Sequence, residues 1–192
     1  VGGCLPRGLL RVRDAGLGDI RGLGSGNIGA SNARRTGNRW VAIGTVIGDA
    51  AKGAVAVLVA GLLAAKTGGS VGWMAGLAAL GAFLGHVFPV WLGFKGGKGV
   101  STFIGILLAL HWPVGLLFCA TWAVVALVSR YSSLSALVAA LLTPVYLAWL
   151  DQWQFVGLGV LLVLLIYFAH RENISRLVSG TESRIGQKKS EA

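Results

Sequence analysis

Beyond residue 39 the chain alternates long apolar runs with short clusters of glycine, proline or charged residues. The first run extends from about residue 40 to 65 and the second from about 71 to 92, with Gly68 and Gly69 between them. Each holds the roughly 20 mostly apolar residues that a helix needs to cross a hydrocarbon core of about 30 Å. The next run, about 100 to 128, contains His111, Trp112 and Pro113 near its middle. Proline lacks an amide hydrogen and its ring collides with the preceding turn, so two short helices are expected there. Runs from about 134 to 150 and from about 155 to 169 complete the set, with Asp151 and Gln152 at the turn between them. The pattern predicts an all-α integral membrane protein with six spans.

Composition agrees, because 55% hydrophobic and 12% charged residues leave too little polar surface for a soluble globule of 192 residues. A single membrane domain, 1–192, is the simplest partition. Cys119 lies inside an apolar run and Cys4 near the start, which gives no disulfide framework. The chain opens on Val1, and residues 1–10 are too short and too rich in glycine and proline to span, so a missing N-terminal portion is expected. Arg7, Arg11 and Arg13 follow the apolar residues there instead of preceding them, the wrong order for a complete signal peptide.

Charge then sets an orientation. Fifteen of the seventeen lysines and arginines fall before Trp40, around Lys95 and Lys98, at Arg130 and after Ala169. The alternate loops hold only Lys66, and Lys52 lies within a run. Basic loops stay in the cytoplasm, so the first set, including the segment 11–39 and the tail 170–192, is expected on that side. A net charge of +10 suits anionic lipid headgroups and requires no nucleic acid partner.

The basic loops carry chemistry as well as charge. In Gly24-Ser25-Gly26-Asn27-Ile28-Gly29-Ala30-Ser31-Asn32-Ala33-Arg34-Arg35-Thr36-Gly37, glycines let successive amides turn toward one centre. Ser25, Asn27, Ser31 and Asn32 add neutral donors, and an arginine can hold two phosphate oxygens at once. A flexible linker is the competing reading of the same composition. The loop Phe94-Lys95-Gly96-Gly97-Lys98-Gly99-Val100-Ser101-Thr102 resembles a nucleotide-binding P-loop but puts Gly99, not serine or threonine, after the lysine, so ATP is not implied. Phosphate still suits it, since two ammonium groups stand at the start of a helix. Gly85-His86-Val87-Phe88-Pro89 orients this loop through a proline bend, with His86 structural. Arg130-Tyr131-Ser132-Ser133 forms a third cluster, and His170-Arg171-Glu172-Asn173-Ile174-Ser175-Arg176-Leu177 a fourth, in which His170 and Asn173 share a helical face. Asp49 and Lys52, three residues apart within a span, can neutralise each other, either as a structural pair beside the site or as a proton relay.

Together SGNIGASNARRTG, GHVFPVWLGFKGGKGVST, RYSSLSAL and HRENISRLVSGTE resemble the bacterial acyl-phosphate:glycerol-3-phosphate acyltransferases, the PlsY family, over nearly the whole chain. The resemblance implies seven helices, with residues 1–10 the remnant of a truncated first one. It implies transfer of a fatty acyl group from acyl phosphate to the 1-hydroxyl of sn-glycerol 3-phosphate, giving lysophosphatidic acid and phosphate. The setting implied is the bacterial inner membrane, with the active site facing the cytoplasm and an acyl-phosphate-producing enzyme as functional partner. No cofactor or metal is implied. Carried onto this chain, Ser25, Lys98 and the amides from Gly26 through Asn27 to Gly29 hold the acyl-phosphate group, with Ser31, Asn32 and Gly97 nearby. Arg35 faces the phosphate of glycerol 3-phosphate, and His170 and Asn173 place its glycerol part. Ser132 or Ser133 lines the pocket. Serine at position 31 replaces the family's common threonine and keeps the hydroxyl. Two acceptors for the proton of the attacking hydroxyl remain, His170 or a phosphate oxygen of the donor, and the resemblance favours the second. A transporter of a phosphorylated solute is the rival class, although its site would lie nearer the bilayer midplane than these motifs do.

Overall fold

The computed structural model describes residues 38–187. Its elements are α1 (Arg39–Thr67), α2 (Val71–Val87), α3 (Val100–Ser129), α4 (Ser132–Trp149), α5 (Trp153–Ala169) and α6 (Arg171–Val178). A single 3₁₀ turn, Val90–Leu92, follows α2. Asn38 starts α1 because its side-chain oxygen accepts from the amides of Trp40 and Val41, at 3.0 and 3.3 Å, two donors that a helix leaves unsatisfied. Gly68 ends α1 in the left-handed region, φ 72°, where a side chain is disfavoured.

The break expected inside the third run is present. His111 has extended backbone, φ −159° and ψ 96°, and Pro113 follows two residues later. Among the described residues, four helical segments are long and apolar enough to cross a membrane, Arg39–Thr67, Val71–Leu92, Val100–Ser129 and Ser132–Trp149. Trp153–Ala169 with Arg171–Val178 makes a fifth, bent by 63°. That count takes the run 100–129 once, although it holds the two helices expected from the sequence, joined at His111.

Contacts divide the chain at this break into one unit through Trp112 and another from Pro113. In the first unit α1 packs on α2, around Val57, Ala79, Phe83, Phe103 and Ile106. The Phe83 and Phe103 rings meet edge to face at 6.3 Å. Glycines bring the start of α3 against α1: a Cβ at Gly53 would lie 2.5 Å from the Thr102 carbonyl oxygen, and one at Gly105 would overlap the carbonyl of Ala50. Such backbone approach is how helices adhere in lipid, where apolar burial offers no drive. In the second unit α4 packs on α5, around Ala139, Ala140, Leu147, Leu162 and Ile166. Tyr167 donates from α5 to the Leu137 carbonyl of α4 at 3.2 Å. Trp73, Leu62, Leu164 and Leu127 stand exposed on these helices, as side chains facing hydrocarbon should.

Candidate active site

The chain leaves α2 at Pro89, makes its 3₁₀ turn, and reverses through two left-handed residues, Gly93 at φ 59° and Phe94 at φ 62°. For phenylalanine that conformation costs about 1–2 kcal/mol, so the surrounding contacts must impose it. Backbone hydrogen bonds supply them: the Phe94 amide donates to the Pro89 carbonyl at 3.0 Å, and the Gly96 and Gly97 amides return to the carbonyls of Val87 and His86, each at 3.1 Å. Lys98 follows directly, half-buried. Gly99, at φ 83°, lies against the Phe83 ring where no side chain would fit, and α3 begins at the next residue. The lysine is thus carried on a backbone fixed on both sides, beside the first turn of a helix whose amides lack an earlier carbonyl. In that turn Thr102 is fully buried and its hydroxyl has no partner among the described residues.

Beneath the loop lies a buried polar trio. Lys52 donates to Asp49 Oδ1 at 2.8 Å and contacts His86 Nδ1 at 2.5 Å, with Asp49 Oδ1 3.7 Å from the same ring nitrogen. The three residues are 4–6% exposed. The pair expected from the spacing of Asp49 and Lys52 is therefore present, and His86 joins it.

In the second unit polar groups converge on Glu182. Its Oε1 accepts from Ser133 Oγ at 2.7 Å and from Asn173 Nδ2 at 2.6 Å, and its Oε2 accepts from Arg176 Nε at 2.7 Å. The chain reaches this point because Gly180 turns left-handed, φ 71°, after α6, and the Thr181 amide returns to the Arg176 carbonyl at 2.8 Å. The strap is pinned further on: the Ile185 amide donates to the Arg130 carbonyl at 2.6 Å, Arg130 Nη2 donates back to the Ile185 carbonyl at 3.0 Å, and Arg184 Nε donates to the Tyr131 hydroxyl at 3.0 Å. Burial pushes the Glu182 carboxyl up, but hydrogen bonds from Ser133, Asn173 and Arg176, with the Arg176 charge, outweigh it and hold the group below the usual carboxylate range.

A depressed carboxyl favours the folded state above its unfolded value and loses that contribution as pH falls through its folded value. Glu182→Gln is therefore expected to lower the thermal midpoint at neutral pH, with the gap to the unmodified protein closing below the ordinary value of 4.5. Unfolding followed at several pH values tests this, and a gap independent of pH would contradict it.

Ser25, Gly26, Asn27, Gly29, Ser31, Asn32 and Arg35 lie outside the described residues. Gly97 and Lys98 stand together in the loop after α2. Ser133 and Asn173 meet through Glu182, while Ser132 is the first residue of α4. His170 occupies the corner between α5 and α6, 3% exposed, with Nδ1 donating to the Ile166 carbonyl at 2.8 Å. Glu182 received no role from the sequence. Its signal was an acidic residue just after Gly180 in a basic tail, which names no partner.

The family described as Glycerol-3-phosphate acyltransferase matches residues 1–180. A protein of Rhodopseudomonas palustris (strain BisB5), named glycerol-3-phosphate acyltransferase, is 55% identical over 187 residues, covering 97% of this chain and 92% of its own length. A relative of the same name from Rhodospirillum rubrum is 55% identical over 192 residues, 99% of this chain and 89% of its own. Among solved structures, PlsY, described as an integral membrane glycerol 3-phosphate acyltransferase, is similar in its glycerol 3-phosphate form with a TM-score of 0.84 and 33% identity, over 96% of this chain and 92% of that one. Its lysophosphatidic acid form gives 0.81 and 32% over the same shares. The apolar helices, the fixed glycine-lysine loop and these matches lead to one assignment: the chain belongs to the glycerol-3-phosphate acyltransferase family of integral membrane enzymes.

Proposed function

We propose that the chain transfers a fatty acyl group from acyl phosphate to the 1-hydroxyl of sn-glycerol 3-phosphate, releasing phosphate and forming lysophosphatidic acid. The observation that supports it most is Lys98, set between two glycines on a loop fixed by backbone hydrogen bonds at a helix start. An acyl phosphate is a mixed anhydride and already activated. The hydroxyl oxygen attacks the acyl carbon, the bond from that carbon to the phosphate oxygen breaks, and the leaving phosphate departs with the electron pair. Positioning and charge stabilisation are then the protein's main task. Lys98, Ser25, Gly97 and the amides of Gly26 to Gly29 hold the acyl phosphate, with Ser31 and Asn32 beside them. Arg35 holds the second phosphate, His170 and Asn173 place the glycerol, and Ser132 or Ser133 lines the pocket. A phosphate oxygen of the donor takes the hydroxyl proton. The setting is the bacterial inner membrane, with the site on the cytoplasmic side and an enzyme that produces acyl phosphate supplying it.

The test is direct. The protein is incubated with palmitoyl phosphate and glycerol 3-phosphate, and phosphate and lysophosphatidic acid are measured, with acyl-CoA and acyl carrier protein as comparison donors. Product from acyl phosphate alone is the expected result; no product from any donor would remove the reading. His170→Ala is expected to raise KM for glycerol 3-phosphate by about tenfold while lowering kcat less, as lost substrate placement requires. A kcat collapse at unchanged KM would instead make His170 the base. The rival transporter reading has no counterpart among these relatives, which are named as acyltransferases.

A further inference from the structure

We propose that His86 is a positioning residue for acyl transfer: held by Lys52 and Asp49, it fixes the Gly96-Gly97-Lys98 segment where the lysine acts. The proposal rests on Lys98 being the phosphate-holding lysine. His86 grips the loop twice. Its carbonyl oxygen accepts the Gly97 amide at 3.1 Å. Its ring fills the space where any side chain at position 97 would go, since a Cβ there would overlap Nε2 and come within 2.6 Å of Cε1 and 3.1 Å of Cδ2. Glycine at 97 and the imidazole at 86 are thus complementary shapes, and a displaced ring displaces the residue preceding Lys98.

The ring is held in turn from below. The Lys52 ammonium lies between Asp49 Oδ1, at 2.8 Å, and His86 Nδ1, at 2.5 Å. An ammonium only donates, so Nδ1 accepts and the ring proton sits on Nε2, the nitrogen nearest Gly97. Carboxylate, ammonium and neutral imidazole carry no net charge together, which makes their burial tolerable. Buried ion pairs add little stability over apolar packing, so stability alone does not account for this trio. What it does accomplish is to set the orientation of one ring through hydrogen bonds, at a distance of one residue from the lysine.

A double-mutant cycle on the full chain, assayed with palmitoyl phosphate and glycerol 3-phosphate, tests the idea. His86→Ala is expected to lower kcat about tenfold or more while KM for glycerol 3-phosphate stays within about threefold. His86→Asn keeps a carbonyl oxygen where Nδ1 stands but loses the ring against position 97, so it should recover little of the loss. Gly97→Ala should cost about 100-fold alone but under about tenfold on top of His86→Ala, because the ring it strikes is gone. If His86→Ala does not fold, the same cycle is run on His86→Asn, whose shorter side chain also clears position 97. Independent, multiplying effects of the two substitutions, or a His86→Ala enzyme with unchanged kcat beside an inactive Lys98→Ala, would overturn the proposal. Retained turnover in Lys98→Ala itself would remove the phosphate reading beneath it, a separate failure.

Discussion

Lys98→Ala is expected to reduce turnover by about 10²–10³-fold, the scale of losing one fixed donor to a developing oxyanion. The lysine is flanked by glycines that permit backbone conformations and close approaches no other residue allows at Gly97 and Gly99. Nothing else in that loop carries charge at the start of α3, since Lys95 is exposed and lies beyond the point where the chain folds back at Gly96. Lys98→Arg should rescue poorly, because a planar guanidinium fork presents its donors differently from a compact ammonium. Initial rates of phosphate release measure both. Turnover in Lys98→Ala within about threefold of the unmodified enzyme would sink the assignment.

Gly105→Ala is expected to destabilise the fold more than any other single methyl added to a described helix. The new Cβ would overlap the Ala50 carbonyl oxygen and lie 2.6 and 2.9 Å from the Ala50 carbonyl carbon and Cα. All three atoms are backbone, so no rotamer change relieves the clash and α1 must move. Overpacking of this kind costs about 1–3 kcal/mol or more, and the thermal midpoint should fall by about 5–10 °C. Gly81→Ala and Gly157→Ala are the controls: both sites are helical with nothing within 4 Å of the added carbon, and both should leave the midpoint level or raised. A Gly105→Ala protein as stable as these controls would show that α1 and α3 do not meet as described. Because Ala50 lies between Asp49 and Lys52, the same change should also disturb the trio under the loop.

Apolar runs alone placed the helices, because a segment that must satisfy its own amides in lipid has few alternatives to helix. Pro113 marked the break at His111 for the same local reason. How many crossings that run makes was not legible there, since apolarity continues on both sides of the break. Local spacing also exposed the Asp49 and Lys52 pair. His86, 34 residues from Lys52, could be read only as a loop-shaping residue, since nothing in a sequence fixes which distant ring meets which ammonium. Ser133 and Asn173 were legible as polar groups at a helix start and on a helical face. Their shared acceptor, Glu182, was not, because its place depends on the left-handed turn at Gly180 and on the backbone bonds of the strap after it. Donors are visible in a sequence, whereas the internal acceptors they find are set by tertiary closure.

The return of the Gly96 and Gly97 amides to α2 bears on how tightly an anion can be held. A loop ordered only on binding subtracts its lost conformational freedom from the affinity of whatever binds it. Here that freedom is surrendered during folding, by two backbone hydrogen bonds and a ring packed against a glycine. The entropy of ordering falls on the stability of the empty enzyme, leaving charge attraction and dehydration to govern the phosphate affinity proposed for Lys98.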